Sequence, residues 1–213
     1  MPTRRPPRPT LVLLVRHGQT PTTGKLLPGR AAGLHLSDAG RSQAQAVAER
    51  LAVLPKVDAV YASPLERTRE TAAPIAKARR LRVRSERGLL DADVGAWTGW
   101  ELKRAAKRPE WKTVQHHPSG FRFPGGESFP EMQTRMLSAL ARLRAAHPGG
   151  TVVAVSHADP IKAAAADALG TPLDLFQRIV ISPCSVTAIL YGDSWPLALT
   201  VNSTGDLSSL KPS

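Results

Sequence analysis

Apolar residues recur along this chain at two spacings, and the alternation between them predicts its elements. Short apolar runs at residues 11–15 (LVLLV, unbroken), 57–62 and 151–155 have the length and density of strands buried on both faces, as in a parallel sheet. Between them the spacing turns helical. Ala44, Val47, Ala48, Leu51 and Leu54 predict a helix from an N-cap at Ser37 to about Leu54, with Gly40 a local weakness. Met132, Met136, Leu140 and Leu143 predict a helix to about Ala146, opened by a capping box of Ser128 and Glu131. After 57–62, Ser63 is the expected cap, Pro64 the first helical residue and Glu66 the capping-box acid, which puts Arg67 on a first turn above a strand end. Pro74 is expected to end or kink that helix, with 76–80 continuing in another direction. After 151–155, Asp159 and Pro160 open a helix that stops at Gly170.

Strands are further expected at 81–84, 179–182, 185–191 and 197–202, the last two joined by a turn at Gly192 and Asp193. The glycines and prolines of 20–36 favour a loop, 89–99 reads as another, 100–107 as a short helix and 109–124 as an irregular insertion. The pattern of strand and helix is that of an α/β protein. Its expected layout is a flexible basic arm over 1–9, one domain over 10–203, and a fraying tail over 204–213.

Composition narrows the function classes. With 213 residues, 42% of them hydrophobic, the chain can bury a sizeable core. The formal charge of +12, from 29 Lys and Arg against 17 Asp and Glu, invites an anionic partner. Because the arginines are dispersed and lack an aromatic-basic recognition motif, nucleic acid is not the expected one; a phosphorylated small molecule is. Cys184 is the single cysteine, which excludes an internal disulfide and a multi-thiolate metal site. His116 and His117 stand without a nearby ligand set, and neither metal nor cofactor is expected. No segment approaches the length that spans a bilayer, and the basic start leads too quickly into the first apolar run for a signal peptide, so the expected location is cytoplasmic. A homodimer is left open.

The chemistry is expected where strands end, because the ligand crevice of an open α/β sheet lies beyond their carboxyl ends. Residues 11–15 lead into Arg16, His17 and Gly18, 57–62 into the segment with Arg67, and 151–155 into Ser156 and His157. Two arginines and two histidines on one rim make a cationic basket for a tetrahedral dianion, since the guanidinium fork matches phosphate oxygens and stays charged. Gly18 lets backbone approach whatever is held there. A neutral imidazole is a competent nucleophile toward phosphorus, and a carboxyl must supply the leaving group's proton; Asp91 and Asp93 are the candidates.

These segments resemble the RHG signature and its companions in the histidine phosphatase superfamily, the phosphoglycerate mutase-like family. The matching residues are Arg16-His17-Gly18-Gln19-Thr20, then Ser63 through Ala72 (SPLERTRETA), then Asp91 ahead of Gly95-Ala96-Trp97-Thr98-Gly99, and finally Ser156-His157-Ala158. The resemblance implies a three-layer α/β/α sandwich with a mostly parallel central sheet. It also implies a phosphohistidine on His17, phosphate binding by Arg16, Arg67, His157, Gly18 and Thr23, and a proton donor at Asp91, with Asp93 the alternative. Asp91 stands where this branch more often carries glutamate, Ala158 where it carries glycine, and Thr23 where many members carry asparagine. A metal-independent phosphatase is the expected activity. A mutase, for which Lys103, Arg104, Lys107 and Arg108 could hold a second phosphate, and a non-catalytic phosphate- or nucleic-acid-binding module are the alternatives.

Overall fold

The computed structural model describes residues 8–210, so the basic arm, apart from Arg8 and Pro9, and the last three residues of the tail lie outside the described residues. Six strands form one sheet: β1 (Thr10–Arg16), β2 (Ala59–Ala62), β3 (Val83–Ser85), β4 (Thr151–Ser156), β5 (Val186–Tyr191) and β6 (Leu197–Ser203), in the order β3-β2-β4-β1-β5-β6. The pairs among β3, β2, β4 and β1 are parallel, whereas β5 runs antiparallel to β1 and β6 antiparallel to β5. Period-two alternation then divides the strand side chains between two faces. Leu11, Leu13, Val15, Val153 and Val155 pack with α1 (Asp38–Leu51) and α2 (Glu66–Ala78). Val12, Leu14, Val152 and Ala154 pack with α5 (Phe129–Ala146) and α6 (Ala158–Ala168). The result is the expected three-layer sandwich. Each fully buried Val or Leu contributes about 1.5–3 kcal/mol, so the centre of the sheet is the rigid base from which the strand ends project.

The ends of three neighbouring parallel strands come together because Arg16 is level with Ser156, and Ala62 with Val155. The short helix expected at 100–107 forms as α3 (Leu102–Ala105). The insertion that follows it is more regular than expected, with α4 (Trp111–His116), because Val114, Phe121 and Phe123 turn inward with Trp97 onto Phe129 and Phe176 and make a third, aromatic cluster.

Local signals place several boundaries differently from the structure. Ser63 does not cap α2: the helix begins at Glu66 after Leu65, and the Ser63 hydroxyl faces His157 instead. Asp159 is not the cap of α6, which starts two residues earlier than expected, at Ala158 with His157 as its N-cap; Asp159 sits in the first turn, 3.1 Å from Lys162. Pro74 does not end α2, which runs on to Ala78, since Ile75 and Ala76 beyond it are buried in the core. No strand forms at 179–182, where Arg16 takes the Ile181 carbonyl and Asn202 the Ser182 amide, leaving no ladder to make. The tail does not fray before residue 210: Leu207 and Leu210 are buried, and Arg50 donates to the carbonyls of Ser203 and Gly205. The capping box of Ser128 and Glu131 forms as expected.

Candidate active site

At the carboxyl end of β1 the His17 amide donates to the Ser156 carbonyl of β4 (3.0 Å), which fixes the backbone on which the imidazole stands. Its Nδ1 lies 2.8 Å from the Gly18 carbonyl. A carbonyl only accepts, so Nδ1 carries the proton and Nε2 keeps its lone pair. The His157 ring stands 5.2 Å away, centroid to centroid, at 61°. Its Nε2 is 2.9 Å from Ser63 Oγ, and that hydroxyl already accepts from the Leu65 amide (3.3 Å). On the other side of the ring Nδ1 faces the Asp91 carboxylate at 3.5 Å, which only accepts, so the His157 proton is assigned to Nδ1 and Ser63 donates to Nε2.

Arg67 is fully buried. Its Nη2 donates to the Gly29 carbonyl (2.7 Å) and to Asp91 Oδ2 (3.2 Å). Arg16 is anchored by Nη1 on the Ile181 carbonyl (2.6 Å). Four buried N–H groups around the two histidines are left without a hydrogen-bond partner: Arg16 Nε, Arg67 Nε and Nη1, and His157 Nδ1. A buried unpartnered donor costs about 1–3 kcal/mol, and more when charged, so four together make a site built to receive an acceptor-rich anion. Arg16, His17 and Asp91 line a cavity of about 510 Å³, walled on one side by Leu102, Trp111 and Val114 of the insertion.

The model of the histidine phosphatase superfamily, branch 1, matches residues 12–204. The chain belongs to the histidine phosphatase superfamily. It is 34% identical over 201 residues to a bifunctional protein of Mycobacterium tuberculosis, covering 93% of this chain and 55% of that protein, so it spans about half the length of those relatives. It is 32% identical to phosphoserine phosphatase 1 of Hydrogenobacter thermophilus, covering 91% of this chain and 92% of that one. Mycobacterial glucosyl-3-phosphoglycerate phosphatase superposes with a TM-score of 0.82 at 25% identity, over 92% of this chain and 100% of the other. The last two of these are phosphatases by name.

In this member of the superfamily the electrostatics of the cup favour neutral imidazoles. Burial pushes His17 well below its ordinary value, with further lowering by His157, Arg67 and Arg16. His157 is pushed well down as well, first by burial and then by Arg67, Arg135, Arg16 and Arg30. Its place at the N-terminus of α6 acts in the same direction, because the helix dipole disfavours a cation there.

The two candidate acids part company. Asp91 reaches the cavity, with Oδ1 accepting from the Ala92 amide (3.0 Å) and Oδ2 lying 3.5 Å from His157 Nδ1. Asp93 is not among the cavity's lining residues; its Oδ2 pairs with Arg30 at 3.3 Å and its Oδ1 accepts from Gly95 N. Thr23 lines the cavity, its hydroxyl accepting from the Thr20 amide (2.9 Å). Gly18 does not offer its amide to the cup: it donates to Thr71 Oγ1 (3.0 Å), and a Cβ there would lie 2.6 Å from the Gly40 carbonyl oxygen. Both glycines serve the close crossing of this loop over α1.

Sequence reasoning missed Ser63 as the partner of His157 and, more widely, Arg30, Glu127 and Arg135, which surround the Asp91 segment. Ser156, whose hydroxyl donates to the Leu89 carbonyl (2.8 Å), ties that segment to β4.

Proposed function

We propose that the chain is a metal-independent, acid-phosphatase-type phosphomonoesterase that works through a phosphohistidine on His17. The observation that carries this reading is the set of four buried, unpartnered N–H groups on Arg16, Arg67 and His157, the residues that also act electrostatically on His17. His17 Nε2 attacks phosphorus as the bond to the ester oxygen breaks, and the carboxylic acid of Asp91 gives that oxygen its proton. The charge spread over the equatorial oxygens is met by Arg16, Arg67 and His157 Nδ1–H, which fill the part a metal ion fills elsewhere. Water then attacks the phosphohistidine, the Asp91 carboxylate takes its proton, and orthophosphate leaves with His17 restored. Asp91 is favoured over Asp93 because it reaches the cavity, whereas Asp93 is engaged with Arg30 outside it.

Hydrolysis is favoured over phosphate exchange by the cavity wall. None of Lys103, Arg104, Lys107 and Arg108 lines it; Arg104 lies over the Trp100 ring at 4.2 Å and Arg108 pairs with Glu110. Lys162 does line it, but carries Asp159 as counter-ion, so a second phosphate meets no free cation there. Phosphorylated small molecules of the size handled by the phosphoserine and glucosyl-3-phosphoglycerate phosphatases suit the cavity.

The test is rapid-quench hydrolysis of p-nitrophenyl phosphate in EDTA. A burst of nitrophenol with an alkali-stable, acid-labile phosphoenzyme, absent from His17→Ala, is the expected result. Turnover that survives His17→Ala, or salt-sensitive nucleic-acid binding with hydrolysis of no ester, refutes the reading.

A further inference from the structure

We infer that Glu127 is a positioning residue that acts through Asp91, holding the acid on the leaving-group side of the phosphate; the inference rests on the phosphatase reading above. An aspartate has a single methylene between backbone and carboxyl, so the place of its main chain decides where the acid can reach. Here that main chain is held from outside. The Asp91 carbonyl accepts from two guanidiniums, Arg30 Nε at 3.0 Å and Arg135 Nη2 at 3.2 Å. Arg135, from the second turn of α5, also takes the carbonyls of Gly88 (2.8 Å) and Leu90 (3.0 Å).

Two adjacent guanidiniums repel, and one carboxylate keeps them together. Glu127 Oε2 accepts from Arg30 Nη2 (2.9 Å) and Arg135 Nε (3.2 Å), while Oε1 accepts from Arg135 Nη2 (2.6 Å) and the Asp93 amide (3.1 Å). Its own amide donates to the Asp93 carbonyl (3.0 Å). The Glu127 side chain is only 14% exposed, so solvent weakens these charge-assisted bonds little. Arg30 follows Gly29, whose carbonyl holds Arg67, so the same loop steadies the phosphate arginine and the acid.

An acid that is present but misplaced leaves a distinctive kinetic mark. A good leaving group departs without a proton; a poor one does not. Aryl phosphates from p-nitrophenyl to unsubstituted phenyl vary that need while filling the cavity alike. For Glu127→Gln, single-turnover phosphorylation of His17 should fall by less than about threefold with p-nitrophenyl phosphate and by about tenfold or more with phenyl phosphate, within the 10²–10⁴ span of general acid catalysis. Asp91→Asn sets the upper limit of that steepening, and adding Glu127→Gln to it should steepen it no further. Arg30→Met cuts the same network from the loop, without touching α5, and should steepen the dependence as well; it carries the test if Glu127→Gln does not fold. Equal losses on every ester in the folded variants, or additive losses in the double variant, overturn the inference while leaving the phosphatase reading intact. A wild-type protein that hydrolyses no ester overturns both.

Discussion

His17 is held neutral by burial, and that neutrality has a thermodynamic signature separable from catalysis. In an unfolded chain its imidazole titrates near about 6.5. In the folded protein the value is pushed well below that, by burial first and then by His157, Arg67 and Arg16. Below the unfolded value the unfolded chain therefore binds the proton that the folded chain refuses, and stability falls as the pH falls. The unfolded value alone sets the ceiling on that loss: an imidazole that takes up no proton when folded forfeits at most about 2 kcal/mol between neutrality and about pH 5, and His157, lowered in the same direction, adds a term with the same ceiling. That is a large part of the about 5–15 kcal/mol by which domains are usually stable. His35, raised by Glu70, acts with the opposite sign, and His147, lowered by burial, with the same sign, but both are common to wild type and variant. Urea unfolding of wild type and His17→Asn, followed by tryptophan fluorescence from about pH 8 to about pH 5 in phosphate-free buffer, isolates the term. The wild type should lose more than the variant over that range, by up to about 2 kcal/mol. Parallel curves would mean that folded His17 accepts the proton, and a protonated ring has no lone pair with which to attack phosphorus.

Two substitutions probe the frame of the cup. Gly18→Ala puts a methyl 2.6 Å from the Gly40 carbonyl oxygen, where ordinary contact begins at 3.4 Å, and that oxygen belongs to the backbone of α1. It should cost about 1–3 kcal/mol, a drop in Tm of about 2–4 °C per kcal/mol, and lower kcat by moving His17; an unchanged Tm refutes the crossing. Ser63→Ala leaves His157 Nε2 without its donor, and should cost about 1–3 kcal/mol and lower kcat more than it raises KM, because the Nδ1 proton is then no longer fixed toward the phosphate. A kcat equal to wild type refutes the tautomer assignment.

Much of this molecule is legible in the order of its residues, and the places where it is not have a common cause. The five apolar residues from Leu11 to Val15 announce a central strand because each face of the sheet is covered, and Arg16, His17, Arg67 and His157 follow strand ends or first turns that periodicity alone locates. The rules that place Ser63 and Gly18 assign a polar or flexible residue to its neighbours in sequence. In both cases the group is claimed from elsewhere: the Ser63 hydroxyl by His157, and the space beside Gly18 by the backbone of α1. The expected strand at 179–182 fails for the same reason, since Arg16 and Asn202 take the carbonyl and amide a ladder would use. Glu127, Arg30 and Arg135 carry no pattern at all, because a charge network joining four separate segments has no period. Local rules thus fail where long-range bonding competes for the same atoms, and that competition is concentrated around the cup because a site that must hold charged groups unpartnered has to fix every other atom beside them.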